Sequence, residues 1–319
     1  MSSKSNDQGR AYEYVWINIL KNELNKTRKV SITENSSLKA NENAWNAMDE
    51  YIKHLFTISA QSAVDTIIEL EPMLKRNDDT VYLSFNKDEL GQDGDVRDIV
   101  IRQNNICWEI GLSIKHNHEA IKHSRLSSKL DFGEKWFGVQ CSEHYWNEVN
   151  PIFSKLEDYK NKKYKWSDLE NKERDVYVPL LEAFISEIER SYKKDRDLPR
   201  KMIEYLVGTK DYYKIVSKDS DKVTIINTFN LHGTLNKPNG EIISSINVPV
   251  VDLPSELILI RFKPHSKNTV EMYLNNGWQL SFRIHNASTE VESSLKFDIK
   301  FIGSPTTIIS LKCFWNNVE

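Results

Sequence analysis

Two strand patterns facing each other across a polar turn constrain this chain more than any other stretch. The first is Asp98–Arg102 and the second Ile106–Lys115, with Gln103, Asn104 and Asn105 between them as a hairpin signal. Strand side chains alternate faces, so Trp108, Ile110, Leu112 and Ile114 share one face and Glu109, Gly111, Ser113 and Lys115 the other. A wholly apolar face opposite an acid, a glycine, a hydroxyl and a lysine predicts a buried strand with one chemically equipped side. Antiparallel pairing across the turn brings Asp98 near Ser113 and Lys115.

An acid on one strand and a lysine on its partner are the parts of a metal-dependent phosphodiesterase. The carboxylate holds a divalent cation through hard oxygen ligands, the cation neutralises charge on the phosphate, and the lysine orients the attacking water. The plainer alternative is an edge hairpin whose polar face is solvated. After the hairpin, His116, Asn117, His118, Lys122, His123 and Arg125 form a basic run that reads as a clamp on DNA phosphates. Glu119 to Ser124 reads as a short helix. The His116-x-His118 pair also suggests zinc, but no other Cys or His has structural-zinc spacing. Asp131-Phe132-Gly133 matches a kinase triplet, yet neither a glycine-rich loop nor a catalytic-loop signature accompanies it, so the match is chance.

At 319 residues the chain suits one large domain or two ordinary ones. It is 39% hydrophobic and 28% charged, with no apolar run long enough to cross a bilayer, so no membrane role is expected. The leader MSSKSNDQGR lacks the apolar centre of a signal peptide. Three scattered cysteines, Cys107, Cys141 and Cys313, suit reduced thiols in the cytoplasm. A net charge of −3 neither announces nor excludes a nucleic-acid partner, because local clusters set the field that a phosphate backbone meets.

A helix pattern runs from Arg10 to Leu24. Glu13 lies three, four, seven and eleven places before Trp16, Ile17, Leu20 and Leu24, on the apolar stripe. An acid there needs a partner or a metal. Residues 34–75 read as two more helices and Thr80–Phe85 as a strand, and Gly91, Asp93, Gly94 and Asp95 make a turn-rich approach to the hairpin. Residues 155–174 are charged helix and loop; Val178–Ile188 and Arg200–Val207 are amphipathic helices, the latter between Pro199 and Gly208. Beyond residue 210 the texture turns to seven candidate strands, at 223–229, 241–248, 257–262, 270–274, 278–284, 295–301 and 306–311, with a two-residue turn at Asn276-Gly277. The expected class is α+β, with a helix-rich region over 1–209 holding the hairpin of 95–115, and a β-rich region over 210–319. In the strand beginning at Trp278, the residues Gln279, Ser281, Arg283 and His285 form a polar row suited to base edges, and Asn286 and Ser288 extend it. An ordinary half-solvated strand gives the same pattern.

The segments SNDQGRAYEY, GDVRDIVI, WEIGLSIKHNH, KHSRLS, LDFGEKWFG and NGWQLSFRIHNASTEVESSLKFDI, in this order from Ser5 to about Gly303, resemble the HaeIII-type family of restriction endonucleases. The resemblance implies a bacterial, cytoplasmic Type II enzyme that cuts double-stranded DNA at GGCC with Mg²⁺ and leaves 5′-phosphate ends. It also implies a PD-(D/E)xK-like nuclease core, a mixed sheet flanked by helices, with the β-rich region reading DNA. In that pattern Asp98 is the first acid and Lys115 the lysine. The place two before the lysine, where the pattern has Asp or Glu, holds Ser113. Glu109 lies on the correct face but four residues from Ser113, roughly 13 Å along a regular strand, and replaces the acid only if a bulge at Gly111 shortens the path. Glu13 from the first helix is the better second metal carboxylate, and Asp95 remains open. The metal set is therefore Asp98 with Glu13 or Glu109. A four-base palindrome favours a homodimer, and a DNA methyltransferase acting on the same site is the companion. The contrasting reading is a non-catalytic double-stranded DNA-binding protein; a β module for sugar or protein is a further rival.

Overall fold

The computed structural model describes residues 2–76, 79–86, 94–118 and 121–316. In chain order its elements are α1 (Ser2–Leu24), β1 (Val30–Ile32), α2 (Ser36–Asn46), α3 (Glu50–Leu70), β2 (Val81–Phe85), β3 (Ile99–Gln103), β4 (Trp108–His116), β5 (Lys122–Ser127), α4 (Phe132–Phe137), α5 (Glu143–Asn161), α6 (Val178–Lys194), α7 (Leu198–Val207), β6 (Tyr212–Lys218), β7 (Val223–Phe229), β8 (Leu257–Phe262), β9 (Thr269–Leu274), β10 (Gln279–His285), β11 (Ser294–Gly303) and β12 (Ser310–Phe314). Short polar side chains start several helices, because they accept from otherwise unpaired N–H groups: Asn35 from Leu38, Asp49 from Ile52, Ser142 from Tyr145. Asp131 of the kinase-like triplet does the same for Glu134.

The chain divides into two units. The first comprises Met1–Glu119, Thr209–Asp252 and Thr306–Glu319, and the second Ala120–Gly208 and Leu253–Pro305. The first is built on a mixed seven-stranded sheet in the order β1-β2-β3-β4-β6-β7-β12, parallel at β1/β2 and β4/β6 and antiparallel elsewhere. Its core packs Tyr12, Trp16 and Leu20 of α1 and Ala60, Val64 and Ile67 of α3 with Ile99, Ile101, Ile110, Leu112 and Ile215 of the sheet. The other sheet face carries Asp98, Ser113 and Lys115, so the apolar and chemical sides fall as the hairpin pattern predicts.

The second unit is a five-stranded antiparallel sheet, ordered β5-β11-β10-β9-β8. On its apolar face Trp136 and Phe184 pack against Phe282 and Phe297 at ring separations of 5.2–6.2 Å. Asn276 and Gly277 make the predicted turn between β9 and β10, with φ of 57° and 84° at the two positions, as a primed hairpin turn needs.

Several expectations change. The chain does change unit next to the expected boundary, at 208/209, but a single boundary does not divide it, since β6, β7 and β12 complete the sheet that holds the hairpin. Residues 241–248 are irregular rather than a strand; their apolar residues Ile246 and Val248 plug the core instead. The last strand starts at Ser310, later than expected. Lys122–Ser127 is a strand, not the end of a helix, because it pairs with β11. Gly91 and Asp93, and the first part of the expected helix at Glu119, lie outside the described residues.

One buried acid sets a pH dependence. Glu71, fully buried, accepts from the Tyr213 hydroxyl and from the Asn236 N–H at 2.8 Å, while its second oxygen has no partner among the described residues. Burial pushes its carboxyl from an ordinary 4.5 up to about 7, against the lowering by those two donors and with Asp211 adding repulsion. A raised carboxyl favours the folded state fully below about 4.5, and that contribution fades as pH rises through about 7. The difference is worth about 3 kcal/mol. Glu71→Gln is expected to flatten the stability–pH curve between these values and to gain stability above neutrality, measured by chemical denaturation across pH.

Candidate active site

The β3/β4 ladder sets the site. Ile99 pairs with Leu112, and the Asp98 N–H donates to the Leu112 carbonyl at 2.8 Å, so Asp98 stands opposite Ser113. Its carboxylate accepts from the Ile114 N–H at 2.6 Å and from Lys115 Nζ at 2.9 and 3.2 Å, and the Ser113 hydroxyl lies at 3.4 Å. Burial pulls the Lys115 ammonium down, but the charges of Asp98 and Glu13 and the hydrogen bond that the lysine donates to Asp98 outweigh it, so the lysine is held above its ordinary range and stays charged. Glu13 is thus electrostatically part of this site, and its Oε2 accepts from the buried Asn41 amide at 2.9 Å. Glu13 needed a partner on its apolar stripe, and α2 supplies one.

Glu109 belongs to another cluster. The β3/β4 register runs without a bulge, so nothing shortens its distance from Ser113. Its two oxygens accept from Arg97 Nη1 at 2.9 Å and Arg102 Nε at 3.0 Å. Burial raises its carboxyl, but the two arginines hold it below the usual range. Asp95 likewise pairs with Arg97, at 2.7 and 2.8 Å. Arg97 reaches both acids by lying across Gly111: a Cβ there would sit 1.9 Å from Arg97 Cδ and 2.4 Å from its Cγ. Gly111→Ala is therefore expected to evict a buried arginine from its two carboxylates and to cost about 3 kcal/mol or more, read as a lowered midpoint in denaturant.

The parallel neighbour β6 adds groups that the sequence pattern did not announce. Lys214 is in register with Ser113 and Tyr212 with Gly111, on the same face; both are buried. Tyr212 stacks on Phe229 with ring planes 1° apart, and burial, with the Asp98 charge adding, keeps its phenol neutral. Residues 212–217, Tyr-Tyr-Lys-Ile-Val-Ser, show no period-two alternation, so the sequence carried no signal for them.

As hard oxygen donors for Mg²⁺, Asp98, Glu13 and the Ser113 hydroxyl are chemically suitable, since this ion keeps several waters and takes one or two carboxylates. Among the described residues no group of three His, Cys, Asp or Glu forms a ready-made metal cluster.

The basic run after β4 divides. His116 points to the helix side, between Phe56 and Tyr12 at ring distances of 4.6 and 5.6 Å, and meets Asp219 at 2.9 Å. Asn117, at φ 51°, donates to Asp219 at 2.8 Å and accepts from its N–H at 2.9 Å. Both were expected on DNA; here they latch the end of β4 to the turn after β6. His118 is exposed. In the second unit Lys122 faces the helices, donating to the Tyr205 carbonyl at 2.8 Å with its ammonium 3.8 Å from that ring. Burial, with Lys135 adding, lowers it to about 8. A strand, unlike a helix, puts Lys122 and Arg125 on opposite faces. Arg125 lies on the open face, bonded to Ser294 at 2.8 Å. The side chain of His123 lies outside the described residues.

On β10 the expected alternation holds. Leu280, Phe282 and Ile284 are fully buried, while Gln279, Ser281, Arg283 and His285 line the open face. Asn286 is spent locally, donating to the Ser288 and Glu290 carbonyls at 2.6 and 2.7 Å; Ser288 itself is exposed. Register adds Arg261, Lys296 and Lys300 to this face, none of which the strand pattern had singled out.

The profile of the HaeIII restriction endonuclease family matches residues 9–305. The Type II restriction enzyme HaeIII of Haemophilus aegyptius is 51% identical over 316 residues, covering 99% of each chain. No solved structure gives a significant match. With an acid–lysine pair on adjacent strands of a mixed sheet, these matches identify a restriction endonuclease, whose partner is DNA. The chain belongs to the HaeIII restriction endonuclease family. Among the described residues no helix is long and apolar enough to cross a membrane.

Proposed function

We propose that this Type II restriction endonuclease hydrolyses both strands of double-stranded DNA at GGCC, using Mg²⁺ and leaving 5′-phosphate ends, through a PD-(D/E)xK-like core in the first unit. The observation that carries the reading is the carboxylate of Asp98 held by Lys115 at 2.9 Å across adjacent strands. Asp98 and Glu13 would hold the metal, which when bound neutralises charge on the scissile phosphate. Glu109 drops out of this set because two arginines occupy it. Lys115, kept cationic by the two carboxylates, orients the attacking water and stabilises the negative charge that builds up on the phosphoryl oxygens. Ser113 offers a hydroxyl where related cores have an acid.

Arg125, Gln279, Ser281, Arg283 and His285 would meet DNA on the open face of the five-stranded sheet. Arginine pairs with two acceptors of guanine, and a GGCC site offers guanines on both strands. A homodimer suits the two-fold symmetry of such a site, and a methyltransferase of the same specificity would protect the DNA of a bacterial cytoplasm.

A digest of plasmid DNA with purified protein tests this reading. Discrete fragments with 5′-phosphate ends at GGCC, dependent on Mg²⁺, are the expected result. Intact plasmid from folded protein that still retards DNA would favour the non-catalytic DNA-binding protein.

A further inference from the structure

The open face of the second sheet carries a carboxylate where a surface for DNA is least expected to have one. Asp298 on β11 stands directly opposite Arg283 on β10. Arg283 Nη2 donates to its Oδ2 at 2.7 Å, Lys296 Nζ lies 3.9 Å from its Oδ1, and His285 Nδ1 lies 3.6 Å from its Oδ2. That ring nitrogen is buried and has no hydrogen-bond partner among the described residues. Burial, with Arg283 and Lys296 adding, holds the His285 imidazole below its ordinary range against the opposing pull of Asp298.

Stability does not account for the acid. Asp298 is 16% exposed but Arg283 is 56% exposed, and an ion pair open to water on the arginine side contributes little to folding. Nor does affinity, since a negative charge facing phosphates opposes binding. Aim accounts for it. An unrestrained arginine must be ordered when it binds, whereas a guanidinium held through one Nη2 hydrogen has fewer orientations to lose and keeps other N–H groups to grip two acceptors.

We propose that Asp298 is a positioning residue for specificity: it holds Arg283 ready for a guanine edge and disfavours any duplex that does not supply that pair. This rests on the reading that the open face meets DNA. The acid penalises all DNA, and only a duplex that engages the aimed arginine recovers the loss. It raises discrimination at the expense of affinity.

The test measures binding by the full-length chain carrying Lys115→Ala, which prevents cleavage, to a GGCC duplex and to duplexes with one base pair changed, over a range of salt. Asp298→Asn is expected to bind the altered duplexes several-fold more tightly, while the preference for GGCC falls about tenfold or more. Arg283→Ala is expected to lose the same preference, and adding Asp298→Asn to it is expected to cost no further preference. Asp298→Glu keeps the charge but shifts it by a methylene, and is expected to lose preference with the salt dependence unchanged. A uniform gain in affinity with the preference intact in both Asp298 variants would overturn the proposal and leave Asp298 a simple repulsive charge. Failure of the underlying reading looks different: Arg283→Ala and Lys300→Ala then leave affinity and salt dependence unchanged, or the parent shows no preference for GGCC.

Discussion

Lys115→Ala is expected to slow cleavage by at least ~10³-fold while DNA binding changes by no more than several-fold. The ammonium lies 2.9 Å from Asp98, which would hold the metal, and it is one cation among the several that would grip the duplex. Asp98→Asn is expected to be as inactive, because the amide keeps the shape but loses the charge that holds the metal. Single-turnover cleavage and filter binding on the same preparations separate the two effects. Loss of binding with residual cleavage intact would assign Lys115 to phosphate contact alone.

The second large effect concerns the acid that replaces the one missing at Ser113. Glu13→Gln is expected to reduce cleavage by ~10²-fold or more and to raise the Mg²⁺ concentration needed, with little change in stability, since Gln can still accept from Asn41. Glu109→Gln is expected to do the reverse: cleavage persists, and stability falls by ~1–3 kcal/mol because buried Arg97 loses one of its two counter-charges. A metal titration of cleavage rate beside a denaturation curve reads both. Swapped phenotypes would return the metal to Glu109 and make Glu13 a structural acid.

The hairpin was legible because its determinants are local. Period-two alternation fixed which face Ser113 and Lys115 share, and a short turn fixed their partner. Lys214 and Tyr212 were not legible, because their place beside Ser113 and Gly111 comes from a parallel pairing whose intervening chain folds elsewhere. β5 reads locally as charged helix and becomes a strand only through β11, a partner far along the chain. The fate of Glu109 turned on Arg97 crossing a glycine, and that of His116 and Asn117 on Asp219; neither encounter has a sequence signature. On β10 the alternation was legible, but its flanking cations and Asp298 needed the register of neighbouring strands.

The interleaving of the two units has a consequence for timing and for inheritance. The chain changes unit four times, at 119/120, 208/209, 252/253 and 305/306. During synthesis, Asp98 and Lys115 emerge long before β12, which closes the sheet that supports them. A ribosome-bound fragment therefore holds Asp98 and Lys115 in a sheet that still lacks its last strand. The same arrangement resists recombination at a single breakpoint: exchanging the second unit with that of a relative requires two segments to move together.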